Sequence, residues 1–193
     1  MQINIIMSNN ISQAILNKAR VNKFVMVLNL PKKLMDKKMY SLDELQFSVQ
    51  GTVFPEININ SDNLAIFGQH MNIPNFTRQQ YSDLNIKYVI DNQWLNYLSI
   101  YNWINIFNDE KESIFDINND LNLSKQTISK KLQELVATQT IIAMDEYNNK
   151  ILKLTYTDAF PVKLNSINFD YSKGDEISCD ATFKFNQFYV DLY

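Results

Sequence analysis

The carboxyl-terminal third of the chain alternates between large apolar and polar residues over three stretches. They run from Lys150 to Tyr156, from Ala159 to Phe169 and from Glu176 to Phe185. A period of two places the apolar side chains on one face of a β-strand, so each stretch predicts a strand. Because proline has no backbone N–H to donate, Phe160-Pro161 is predicted to lie at a bend or a sheet edge. A chain that ends in such strands is expected to be mainly β.

Further strands and one long helix are predicted upstream of this block. Alternating apolar residues predict strands over Lys23–Leu30, Leu45–Val49 and Leu84–Ile90. A helix is predicted over 92–107, capped by Asp91 or Asn92. Polar residues recur in it every three or four positions, which predicts one solvent-exposed stripe on an otherwise apolar helix. That stripe consists of Asn92, Asn96, Ser99, Asn102 and Asn105.

The segment from Glu56 to Gln80 has no sustained period. It contains Gly68, Pro74 and many amide side chains, so we predict a long ordered loop or arm. A structureless connection of this length is unusual in a compact domain unless it has a role. Contact with a neighbouring subunit is one such role, and we expect it here.

Residues Ile114 to Ile142 resemble the helix-turn-helix of winged-helix regulators. A turn at Asn122 and a cap at Ser124 would precede a second helix that exposes polar side chains. The exposed residues that would contact DNA are Lys125, Gln126, Thr127, Ser129 and Lys130. No arginine occurs in the segment to contact guanine or phosphate. We therefore favour a helical insertion and keep a DNA-binding transcription regulator as the alternative.

Composition and charge narrow the functional classes. The chain has 193 residues and a formal net charge of −3, which argues against a protein whose main task is to grip duplex DNA. His70 is the only histidine and Cys179 the only cysteine, so no multi-histidine zinc site and no intramolecular disulfide is expected. We predict no catalytic residues, no metal, no cofactor and no membrane span. Cys179 is expected to be a buried, unreactive thiol.

The order of these elements resembles the tail-tube proteins of contractile-tailed bacteriophages. The strand ending in Thr52-Val-Phe-Pro55, the arm through Gly68 and Met71, and the strand leading into the 92–107 helix all match. The most specific part is Ala159-Phe-Pro-Val162, followed by Ile167-Asn-Phe169 and the final alternating strand. The resemblance covers most of the chain except its amino terminus and residues 108–139.

The resemblance implies an α+β, mainly β fold: an antiparallel β-sandwich or barrel subunit with one packed helix and a small helical insertion, closing into a ring on oligomerisation. In domain terms it implies an N-terminal helical arm over 1–20, a β domain over 21–107 and 141–193, and an inserted element over 108–140. The implied function is that of a structural virion protein. Six copies would form a ring, and rings would stack as the tube or hub through which the genome passes.

Partners and contacts follow from the same resemblance. The expected partners are further copies of the chain, the sheath, hub, baseplate or tail terminator, and phage DNA that touches the lumen transiently. The protein would be made in the host cytoplasm and located in the virion. The expected interface residues are Phe54, Pro55, Ile57, Phe67, Gly68, His70, Met71, Phe76, Phe160 and Pro161.

Overall fold

The computed structural model describes residues 19–35, 49–66, 68–78, 80–108, 132–172 and 174–193. Within them the chain forms nine strands and two helices, and the predicted α+β, mainly β class is confirmed. The strands are β1 (Phe24–Val27), β2 (Val49–Thr52), β3 (Ile59–Ile66), β4 (Gln69–Arg78), β5 (Leu84–Val89), β6 (Ala137–Met144), β7 (Lys150–Leu164), β8 (Ser178–Lys184) and β9 (Gln187–Leu192). The helices are α1 (Lys32–Met35) and α2 (Leu95–Asn108). Most of the predicted N-terminal helical arm over 1–20 and most of the 108–140 insertion lie outside the described residues.

One long strand, β7, joins two antiparallel sheets. As far as Ala159 it pairs with β6, and β9 lies on its other side. From Phe160 onwards it pairs with β8 instead. We call the set β1, β6, first part of β7 and β9 the β9 sheet, and the set β2, β5, β8 and last part of β7 the β8 sheet. The described strands do not close into a barrel.

Asp158 forms the corner at which the chain changes sheet. Its backbone has a φ of 53°, a left-handed conformation that interrupts the alternation of β7. Its carboxylate accepts a hydrogen bond from Asn186 Nδ2 at 3.0 Å, and Asn186 N donates to the Thr157 carbonyl at 3.1 Å. Asn186 lies between β8 and β9, so these bonds join the corner in β7 to the connection between β8 and β9.

Alternating apolar residues from both sheets form the core, as their period predicted. In the β9 sheet, Met26, Ile141 and Leu154 lie side by side and are buried. In the β8 sheet the corresponding buried residues are Leu84, Ile86, Tyr88, Cys179, Ala181 and Phe183. Helix α2 packs against this core and sets the Trp103 ring edge-on to the Phe183 ring, with ring centroids 5.8 Å apart.

Helix α2 confirms its predicted cap and corrects its predicted polar stripe. The Asp91 carboxylate accepts hydrogen bonds from the backbone N–H groups of Leu95 and Asn96 at 2.9 and 3.0 Å. Asn96 and Ser99, however, are buried rather than exposed. Asn96 Nδ2 donates to the Val89 carbonyl, and the Ser99 hydroxyl donates to the Asn96 carbonyl. Because local backbone groups satisfy both side chains, the helix can turn this face to the core.

The segment predicted as a loop or arm is a β-hairpin. Strands β3 and β4 pair in an antiparallel two-stranded sheet separate from the other strands, and Gly68, with a φ of 79°, lies in the turn. The prediction of an ordered loop or arm was therefore wrong in assigning the segment no strands. The hairpin has no fully buried face, so its side chains need not alternate in polarity, and periodicity could not reveal it.

A buried glutamine fixes the start of β6 where the insertion returns to the sheet. Gln139 Oε1 accepts from Asn29 N and Gln139 Nε2 donates to the Asn29 carbonyl, both at 2.8 Å. Asn29 Nδ2 donates to the Thr138 carbonyl at 2.6 Å. Strand β6 begins at Ala137, inside the range assigned to the insertion, so its first residues are part of the β9 sheet.

We predict that Gln139→Leu lowers the free energy of unfolding by about 2 to 4 kcal/mol, because both backbone groups of Asn29 would lose their partner in a part-buried position. Urea unfolding followed by circular dichroism measures the change. Thr138→Val, one position away with an exposed side chain, is the matched control and should change stability by less than about 0.5 kcal/mol. Equal losses in the two variants would contradict this role of Gln139.

Candidate assembly surfaces

The β3–β4 hairpin presents apolar side chains to solvent. Ile59 and Leu64 on β3 and Met71 on β4 are all exposed. Leu64 lies directly opposite Met71 in the hairpin register, so the two form an apolar pair near the turn. An isolated two-stranded ribbon is only marginally stable in water. A surface that covers this pair would therefore also stabilise the ribbon.

Most predicted interface residues lie on or beside this hairpin. Phe54 and Ile57, in the segment that enters β3, are exposed, and Pro55 is half-buried. His70 on β4 is exposed. Phe76 lies within β4, and Phe67 is outside the described residues. The structure thus places Phe54, Ile57, His70 and Met71 along one projecting segment, and their contacts with a neighbour remain a prediction.

Phe160 and Pro161 occupy a different position from the hairpin. Pro161 is buried opposite Phe183, next to a register shift between Pro161 and Lys163. From Phe160 onwards β7 pairs with β8 alone among the described strands, so the predicted position of this proline at a sheet edge is confirmed. Phe160 is half-buried, and its ring lies 5.9 Å from the Phe107 ring at the end of α2. In the subunit both residues contribute to packing between helix and sheet, and an additional contact across rings remains a prediction.

Strand β9 carries an exposed apolar surface that was not predicted from the sequence. Phe188, Val190 and Leu192 lie opposite Tyr156, Leu154 and Leu152 and face the core side of the sheet. Phe188 packs in the core, but Val190 is 53% exposed and Leu192 79% exposed. The outer backbone edge of β9 has no strand beside it among the described residues. The alternation of Phe188, Val190 and Leu192 was the signal that could have revealed this strand.

The opposite face of the β9 sheet is polar towards its β9 edge. Lys153 on β7 lies directly opposite Asp191 on β9, so the two charges balance. Thr155 and Thr157 lie opposite Tyr189 and Gln187. Towards β1 this face becomes apolar, as exposed Val25 shows. Towards β9 it therefore presents hydroxyls, an amide and two side chains of opposite formal charge.

The ionisable groups in the core have ordinary structural roles. Cys179 is buried, as predicted, and burial raises the pKa of its thiol. Burial also raises the pKa values of the Tyr88 and Tyr156 hydroxyls. All three side chains therefore stay neutral at physiological pH.

The described residues contain neither a metal-binding cluster nor a membrane-spanning helix. No group of three or more His, Cys, Asp or Glu side chains among the described residues is placed to hold a metal ion. None of the described helices is both long and apolar enough to cross a bilayer. The residues of the DNA-binding alternative, Lys125 to Lys130, lie outside the described part of the chain.

A profile of the phage tail tube protein family matches residues 19–191, nearly the whole chain. The chain belongs to the phage tail tube protein family. It is therefore a structural component of a phage tail. No curated protein sequence matches the chain, and the comparisons give no support to the DNA-binding alternative.

Solved structures of contractile injection systems share the family fold. The chain matches the tube-terminating cap of the anti-feeding prophage at 15% identity with a TM-score of 0.57, covering 91% of this chain and 92% of that chain. It matches a chain in the PVC sheath/tube terminator structure at 14% identity and a TM-score of 0.58, covering 90% and 96%. A chain of the extended PVC sheath-tube complex aligns at 16% identity and a TM-score of 0.52, covering 96% and 100%. The TM-scores of these three matches show a common fold.

We predict that a protease cleaves the β3–β4 hairpin in the free subunit and spares it after assembly, because contact with a neighbour would cover the exposed ribbon. Limited proteolysis with chymotrypsin and mass spectrometry of the fragments would locate cleavage near Leu64 and Met71. Tyr147, which is 74% exposed in the turn between β6 and β7, serves as the internal reference site. Equal cleavage of the hairpin in free and assembled protein would contradict this prediction.

Proposed function

We propose that the chain forms rings, six copies to a ring, and that these rings make the tail tube or the element that ends it. The observation that carries the proposal is that the two edges of the β9 sheet, β1 on one side and β9 on the other, have no neighbouring strand in the described part of the chain. Each edge presents backbone N–H and C=O groups that a strand of another copy can bond. Uncovered apolar side chains accompany both edges.

The direction of the strands favours cyclic pairing. Neighbouring strands in the β9 sheet are antiparallel, in the order β1, β6, β7 and β9. With four strands, β1 and β9 run in opposite directions. If β9 of one copy pairs with β1 of the next, the antiparallel pattern continues across the boundary. Repetition of this contact closes a ring and leaves no free edge on that sheet.

The dimensions of such a ring suit the passage of DNA. Six four-stranded sheets give a barrel roughly 37 Å across at the backbone, from a strand spacing of about 4.8 Å, and strand tilt widens it further. The bore would be lined by the face of the β9 sheet opposite the core. Near β9 this face carries Thr155, Thr157, and the charge pair Lys153 and Asp191. Near β9 the lining is polar and carries no surplus positive charge, so phosphate would slide past it without being retained, whereas towards β1 the lining is apolar.

Partners would contact the surfaces outside the bore. The hairpin is suited to reach a neighbouring copy or the next ring, because it forms its own sheet and exposes Leu64 and Met71. The sheath, hub, baseplate or tail terminator would bind the outer wall or the ends of the stack. In this proposal the protein is made in the host cytoplasm, resides in the virion, and touches phage DNA only transiently during its passage.

We expect Val190→Glu with Leu192→Glu to abolish ring formation while leaving the subunit folded. Both side chains are largely exposed in the subunit, so the charges cost little there, but they would be buried against a neighbour. Negative-stain electron microscopy and native mass spectrometry of the purified protein measure assembly. Wild-type protein should show rings, and the double variant should remain monomeric with an unchanged circular dichroism spectrum.

Tyr147→Glu is the matched control, because Tyr147 is 74% exposed and lies in the turn between β6 and β7 rather than in either edge strand. This variant should form rings like the wild type. Rings of normal size in the double β9 variant would contradict the proposed edge contact. Wild-type protein that stays monomeric at high concentration would contradict self-assembly itself.

A further inference from the structure

Four aromatic rings form a continuous strip on the surface beside the start of α2. The Phe169 ring stacks on the Trp94 ring with centroids 5.9 Å apart, and Trp94 contacts Tyr97 edge-on at 5.7 Å. The Tyr97 and Tyr101 rings are nearly parallel, at 6.4 Å. Phe169 is 74% exposed and Tyr101 46% exposed. We call these four residues the aromatic ladder.

Trp94, whose ring is part of the ladder, has an unusual backbone conformation. Trp94 has a φ of 61°, in the left-handed region that large side chains rarely adopt. The surrounding hydrogen bonds fix it there, since Trp94 N donates to the Asp91 carbonyl and Leu98 N donates to the Trp94 carbonyl. Glycine or asparagine would fit this position with less strain. The strain therefore accompanies a tryptophan ring that is only partly buried.

The two chain segments that carry the ladder are acidic. Residues 91–108 contain one charged side chain, Asp91, and residues 165–177 contain Asp170, Asp175 and Glu176 against Lys173. These two segments therefore carry formal charges of −1 and −2, equal together to the net charge of −3 on the whole chain. Ile90 N donates to the Ile177 carbonyl at 2.8 Å, which places the two segments side by side.

Asp170 is fixed next to the exposed Phe169 ring. The Ser172 hydroxyl and backbone N–H donate to its carboxylate at 2.7 and 2.9 Å. These bonds hold the pKa of Asp170 below its usual range, so the group is charged at physiological pH. The ladder thus combines exposed rings with acidic flanking segments. We call the carboxylates of these segments, Asp91, Asp170, Asp175 and Glu176, the negative rim.

We propose that the aromatic ladder binds an arginine-bearing segment of another tail protein. A guanidinium group is planar and cationic, so it can stack on the exposed faces of Phe169 and Tyr101 while its N–H groups bond to the carboxylates of the rim. The negative rim repels nucleic acid and other acidic surfaces. A second copy of this chain, with the same acidic rim, would place like charges together. The inference rests on the proposed function in naming the partner as a tail protein.

The test measures binding of a dye-labelled hexa-arginine peptide to the full chain by fluorescence anisotropy, with hexalysine and hexaglutamate for comparison. Hexa-arginine should bind more tightly than hexalysine, because only the guanidinium stacks on rings, and hexaglutamate should not bind. Trp94→Asn, which suits the left-handed backbone, and Phe169→Ser should each weaken hexa-arginine binding about fivefold. Tyr147→Ser removes an exposed aromatic beside Asp145 and Glu146 outside the ladder, so it should leave binding unchanged.

Several results would overturn the inference. Equal binding of hexa-arginine and hexalysine, with no loss in Trp94→Asn, would show attraction by charge alone. Loss of rings in Trp94→Asn or Phe169→Ser would assign the ladder to contact between copies, and tight binding of a duplex DNA probe would assign it to nucleic acid. Ring formation is scored separately by electron microscopy. A wild type that forms no rings but shows the predicted peptide binding would contradict the proposed function and leave the ladder as a peptide-binding surface.

Discussion

Backbone groups at a strand edge must bond to water or to another strand, and this constraint governs how the subunit is used. The β9 sheet ends in β1 on one side and β9 on the other. Val190 and Leu192 on β9 face the core side of the sheet, yet they remain 53% and 79% exposed. Burial of these two side chains and pairing of the edge would occur in the same contact. The subunit is stable because its central strands are covered, and it is suited to assembly because its outer strands are not.

The internal bonds of the fold keep that edge in place. Asp158 and Asn186 hold the point where β7 and the β8–β9 connection cross between the sheets, so β9 extends from a fixed corner. Around this corner, Tyr156, Phe185 and Phe188 pack together, with the Tyr156 and Phe185 rings 4.9 Å apart. Gln139 fixes the other side of the sheet through the backbone of Asn29. The geometry of the proposed ring contact at β9 would thus depend on residues well inside the subunit.

Sequence periodicity predicted the elements that have one buried face. The strands around Met26, Ile86 and Phe183 and the helix capped by Asp91 appear where the pattern placed them. It failed where burial does not follow polarity. Asn96 and Ser99 are buried because nearby carbonyls accept their hydrogen bonds. The β3–β4 hairpin has no buried face, and β9 is short and mostly exposed, so neither produced a recognised signal. A strand with no buried face need not alternate between apolar and polar residues, so periodicity is a weak signal for strands at the surface.

Hydrogen–deuterium exchange of free and assembled protein tests the central claim most directly. Free subunits should exchange rapidly in β9 and β1, because their outer edges face water, and slowly in β8, which is paired on both sides. After assembly, exchange in peptides that cover β9 and β1 should slow strongly, while exchange in β8 stays as it was. Rings in which β9 and β1 exchange as fast as in the free subunit would show that copies associate through some other surface, and would contradict the account.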